Sequence, residues 1–203
     1  IPPTVGYLER QVLLFAWGVG GILIAEVLLF EARFPRALSA LGLVPPHRKA
    51  AFVALIVSLP MWLFVPVYGL ITGMTVSLDP EWASLLLGVV LANGIAEEII
   101  HRAFIFGHLR RVSSFVRATA ISALIFGLQH AYLIFTIGPL PGSVSVLLAL
   151  GLAFPLALLY ESGGNSIAGP AILHTSSNAP MMLFVQGDTV AEDEPLLEVS
   201  TDK

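Results

Sequence analysis

The chain has 203 residues, 56% of them hydrophobic and only 12% charged, with a mean hydropathy of +0.86. So little charge leaves too little polar surface for a water-soluble domain of this length, and a net charge of −4 offers no basic surface for nucleic acid. The absence of cysteine removes disulfides, thiol nucleophiles and cysteine-held metals.

Apolar runs close to the ~20 residues that a bilayer core requires fall at residues 12–30, 51–73, 82–108, 118–137, 144–160 and 166–186. They are continuous and lack the ten-residue alternation of barrel strands, so the expected fold class is all-α: a polytopic transmembrane helical bundle of about six spans. No short apolar core followed by a small-residue cleavage site opens the chain, so no signal peptide is expected. Residues 34–49 suit a short amphipathic piece lying along the membrane interface. Pro60, Pro66, Pro155, Pro170 and Pro180 fall inside spans, where neighbouring helices can re-satisfy the freed backbone groups. Gly88, Ala92 and Ala96 recur every four residues as a stripe for close helix packing. Trp17, Trp62 and Trp82 suit packing or interfacial anchoring. The chain divides into two N-terminal spans (1–81), a four-span core (82–186) and an acidic, mobile tail (187–203).

Charge between the spans sets an expected orientation. Seven of the ten basic residues (Arg33, Arg36, Arg48, Lys49, Arg110, Arg111 and Arg117) lie in the first and third inter-span loops. The positive-inside rule places those loops in the cytoplasm and both termini outside, in a multi-pass protein of the cytoplasmic membrane.

Ionisable groups inside a span cost about 2.5–3.5 kcal/mol each on insertion scales and persist where something pairs with them or uses them. The third span carries Glu97, Glu98, His101 and Arg102, the fourth Gln129 and His130, and the sixth His174 and Asn178. On an α-helix Asn93, Glu97 and His101 share one stripe, while Glu98 and Arg102 share the next. The simplest assignment gives one glutamate to Arg102 as an ion pair and leaves the other free for chemistry. With a rise of about 1.5 Å per residue, Glu97 and His130 lie about 16–18 Å from their cytoplasmic span ends and His174 about 12 Å. Polar groups on three helices are thus expected at comparable depth. His108 and His47 fall at an interface and in a loop and need no function.

Glu97-Glu98 with Arg102 matches an EExxxR motif, Phe126 to His130 an FxxxH motif, and His174 to Asn178 an HxxxN motif. In that order, on separate spans, they resemble the CPBP family of CAAX-protease and bacteriocin-processing (Abi-type) membrane proteins. The resemblance covers roughly residues 82–186. One departure is His101, where an apolar or aromatic residue is expected before the arginine. The resemblance implies an intramembrane glutamate endopeptidase related to the Ras-converting CAAX endopeptidases, acting on lipidated or membrane-associated peptides. By that analogy Glu97 and His130 hold and deprotonate a water, His174 and Asn178 donate to the oxyanion, and Glu98 and Arg102 shape the site.

No cofactor is expected. A zinc ion held by Glu97, His130 and His174 is a chemically consistent alternative, although the HExxH signature is absent. A di-iron site fails, because Glu98-x-x-His101 has no second copy. Rival readings are a non-enzymatic binding or immunity module of the same family and a small transporter. Against the transporter stands the lack of an internal repeat. Oligomeric state and the role of the tail are not encoded in any motif.

Overall fold

The computed structural model describes residues 6–30 and 33–187. The acidic tail expected from residue 187 lies outside the described residues apart from Gly187 itself.

Nearly every described residue up to Leu183 is helical or connects helices. Helix α1 (Tyr7–Leu29) is followed by a short α2 (Phe34–Ala40), with a proline in its first turn where a missing N–H costs nothing. Leu41 is fully buried, and Gly42 then turns the chain at φ +71. A side chain at Gly42 would meet Ile167 and Tyr160, so only glycine permits this close passage. The amphipathic segment expected at 34–49 is thus a single short helix and a buried turn. Helix α3 (Arg48–Thr72) contains Pro60 and Pro66 and ends at Gly73 in the left-handed conformation.

Helix α4 (Trp82–Val112) runs unbroken for 31 residues but is widened by π-helical stretches at Val90–Ala96 and Ile99–Phe106. These flank Glu97 and Glu98. Helix α5 (Phe115–His130) starts at Ser114, whose hydroxyl accepts from the Arg117 N–H at 3.4 Å. A single turn, α6 (Leu133–Thr136), leads to α7 (Pro139–Ser162) and α8 (Ala168–Leu183).

Among the described residues, five helical stretches are long and apolar enough to cross a membrane: α1, α3, α4, α5 with α6, and α7. The sixth expected span is the 16-residue α8, about 24 Å long at 1.5 Å per residue. It ends earlier than the apolar run at 166–186 suggests, because Pro180 removes a donor from its last turn and Phe184 enters a strand. That strand, β2 (Phe184–Gly187), pairs antiparallel with β1 (Thr75–Leu78), Thr75 facing Gly187 and Leu78 facing Phe184. Helix α8 packs against α3, α4 and α7. Shielded in this way, it carries Ser, Thr, His and Asn without exposing them to lipid.

The outer surface is apolar where a soluble protein would be polar: Trp17 is 80% exposed and Phe135 88%. One core cluster joins Ile99, Ala103 and Phe106 of α4 to Leu41, Ala118, Ala157, Tyr160 and Ile167. Phe106 meets the Tyr160 ring edge-on, with centroids 6.0 Å apart. All three members of the small-residue stripe are buried, and Gly88 lies directly under Tyr7 and Gln11 of α1.

A polar tie also joins α1 to α4. Glu26, 1% exposed, pairs with His108 Nε2 at 2.7 Å, and the His108 ring stacks on Phe30 at 3.8 Å. His108 therefore has a partner that its expected interfacial position did not require. Trp62 likewise does more than pack, its indole N–H donating to Ser176 Oγ at 3.0 Å.

Candidate active site

The three motifs meet where α4, α5 and α8 converge. Glu98, fully buried, carries two partners: Arg102 Nε lies 3.2 Å from its Oε2 and His174 Nδ1 2.6 Å from its Oε1. The ion pair expected between Arg102 and one glutamate is therefore made by Glu98. The contact is charge to charge, its angles falling short of a hydrogen bond. Arg102 lies 4.6 Å above the Phe126 ring, a cation–π contact that replaces part of the hydration lost on burial. Its two terminal nitrogens are buried with no hydrogen-bond partner.

Glu97 is held differently. Asn93 donates to its Oε1 at 3.1 Å, across one turn of the same helix. Its Oε2 is buried without a hydrogen-bond partner and lies 3.9 Å from His174 Nε2. One imidazole thus reaches both glutamates, Glu98 through Nδ1 and Glu97 through Nε2. Adjacent side chains on a helix are about 100° apart, and the ring spans that gap because its two nitrogens lie on different edges. π-Helical stretches flank Glu97 and Glu98 on either side, a distortion often found at functional sites.

His130 ends α5. Its Nδ1–H donates to Phe126 O at 2.8 Å, which fixes the neutral tautomer and leaves the Nε2 lone pair open. It stands near enough to Glu97 for the two to interact electrostatically. Phe126 is the hub of the arrangement, packing its ring against His101 (4.7 Å), His130 (4.6 Å) and His174 (5.6 Å). The FxxxH spacing needs an aromatic there because one ring seats one cation and three imidazoles.

His101, one turn on from Glu97, bonds across to α5 and not to the glutamate. It donates through Nε2 to Gln129 Oε1 at 2.8 Å, and its carbonyl accepts from Ser122 at 2.8 Å. It fastens α4 to α5 next to His130. Asn178 lies one turn beyond His174 on α8, half-buried, with no side-chain hydrogen bond among the described residues. Asn93 was visible in the sequence only as a member of a stripe, and Glu26, a lone carboxylate in an apolar span, escaped notice although its cost in lipid marks it.

Among the described residues no group of three or more His, Asp or Glu side chains is arranged to hold a metal ion. Beside the site, an apolar cavity of about 630 Å³ runs between α4, α8 and the turn at Gly42, lined in part by Val90, Ile95, Ile172 and Thr175.

The fold and this site define a polytopic helical membrane protein with a buried constellation of two glutamates, two histidines and an arginine. A family model described as Type II CAAX prenyl endopeptidase Rce1-like matches residues 79–180, half of the chain, including every residue of the three motifs. The chain belongs to this protease family. No curated protein and no solved structure matches it.

Proposed function

We propose that the chain is an intramembrane endopeptidase that hydrolyses lipidated or membrane-associated peptides with a water activated by Glu97 and His130. The observation that carries this reading is the buried Glu97 Oε2, which has no hydrogen-bond partner, within electrostatic reach of His130, whose Nε2 makes no hydrogen bond among the described residues. A water bonded to both atoms passes one proton to this pair as its oxygen attacks the scissile carbonyl carbon. The carbon–nitrogen bond then breaks, and the same proton passes to the departing amine.

Two donors are available for the tetrahedral oxyanion. Asn178 offers its amide N–H. His174 already directs Nδ1–H to Glu98, so its Nε2 donates only when the ring carries both protons. Glu98 and Arg102 hold that ring in place. Donors fixed in advance in a dry site often supply the largest share of rate enhancement.

The apolar cavity beside α8 suits the hydrocarbon part of a lipidated or membrane-inserted substrate. The unit over 82–186 supplies all the chemical groups, and the spans within 1–81 wall it in. The basic loops face the cytoplasm, in a cytoplasmic membrane. The mechanism uses no metal.

The test is cleavage of a panel of lipidated and transmembrane peptides by detergent-purified protein, with and without a strong chelator. Cleavage that withstands the chelator and is lost in His130→Ala supports the proposal. Loss on chelation points instead to zinc. Failure of folded wild-type protein to cut any peptide favours a binding or immunity module.

A further inference from the structure

A second cavity, more polar than the one beside α8, lies away from the glutamates, near the basic end of α4. It encloses about 360 Å³ between α2, α4 and the end of α7, within the range of about 300–1,000 Å³ typical of ligand pockets. Its floor is Ala103 and Gly107. A Cβ built at Gly107 would stand 3.5 Å from the Tyr160 hydroxyl, which places that hydroxyl beside Gly107 in the lining.

Three features of the lining set which ligand the cavity suits. Tyr160 is 4% exposed, and its hydroxyl has no hydrogen-bond partner among the described residues and borders the cavity. Glu161 is fully engaged by Arg110, which donates to both carboxylate oxygens at 2.9 and 3.2 Å. Arg111 beside it, exposed on α4, lines the same cavity as Tyr160 and has no carboxylate within ion-pairing distance among the described residues; Tyr160 feels both its charge and that of Glu26, which is itself paired with His108. The lining therefore carries one arginine with no carboxylate partner among the described residues, a hydroxyl with no hydrogen-bond partner among them, and Asn165.

We propose that this cavity binds a phosphate group, held by the Arg111 guanidinium and the Tyr160 hydroxyl. A guanidinium matches two phosphate oxygens at once, and basic pockets between membrane helices are suited to anionic headgroups. The phosphate comes either from an anionic lipid or from free phosphate in the aqueous phase. The site is separate from peptide hydrolysis and does not rest on it.

The test uses the full chain in detergent. Retention of phosphatidylglycerol and phosphatidylcholine is compared by native mass spectrometry, and melting is followed with and without inorganic phosphate. Wild type is set against Arg111→Gln, Tyr160→Phe and Arg117→Gln. Tyr160→Phe keeps the ring that packs on Phe106, and Arg117 does not line the cavity. The expected result is preferential retention of phosphatidylglycerol, weakened about tenfold in the first two variants and unchanged in the third. Stabilisation by millimolar inorganic phosphate that vanishes in the same two variants supports the site with free phosphate as its ligand. Equal retention of both lipids with no effect of inorganic phosphate overturns the proposal. So do variants that bind like wild type, or an Arg117→Gln loss as large as that of Arg111→Gln.

Discussion

Two residues of the site separate chemistry from scaffolding. Asn178 makes no side-chain hydrogen bond among the described residues, so Asn178→Ala removes no internal bond there. If it donates to the oxyanion, kcat falls about 10²–10³-fold. KM and the melting temperature should hold, which parallel kinetics and thermal unfolding will check. Arg102 is the opposite case. Arg102→Ala leaves Glu98 buried with an uncompensated charge and strips the Phe126 ring of its cation. Breaking such a buried pair costs about 3–5 kcal/mol. Thermal inactivation in detergent should therefore begin several degrees lower than for Arg117→Ala.

Among the elements, α4 and α5 are joined by a polar bond where the family pattern leads one to expect apolar packing. The His101–Gln129 hydrogen bond spans the two helices beside His130. Interhelical hydrogen bonds in membranes are worth about 0.6 kcal/mol on average and about 1.7 at most. A double-mutant cycle of His101→Leu and Gln129→Leu should return a coupling in that range, measured by reversible unfolding in mixed micelles. A coupling indistinguishable from zero would mean the bond does not fasten the helices.

At this same scale the limits of sequence reading are visible. Spans α1, α3, α4 and α7 were legible because apolar runs of bilayer length permit little else. The Glu98–Arg102 pair was legible because i,i+4 charges face one another. The meeting of both glutamates on His174 was not, since it depends on how α8 docks against α4. Nor was the early end of α8, which was expected to run through residues 166–186 but stops at Leu183, where the chain enters a strand paired with distant residues. The strand pair β1–β2 joins residues over a hundred positions apart, and no local pattern announces such pairing.

For the whole molecule, the asymmetry of basic loops fixes a prediction about orientation. The chain has no cysteine, so single introduced cysteines report cleanly. Ser77→Cys, in the strand before α4, should react with a membrane-impermeant thiol reagent on intact cells. Ser113→Cys, in the turn after α4, should react only once the membrane is opened. The reverse pattern would place the basic loops outside, against the positive-inside rule. The central claim of the account is that Glu97 is the base that activates water. Its most direct test is Glu97→Gln, which keeps the volume and the acceptor that Asn93 bonds but cannot take a proton. On a peptide that wild type cleaves, the rate should drop about 10²–10⁴-fold with the melting temperature unchanged. A Glu97→Gln protein that cleaves at the wild-type rate would contradict the account.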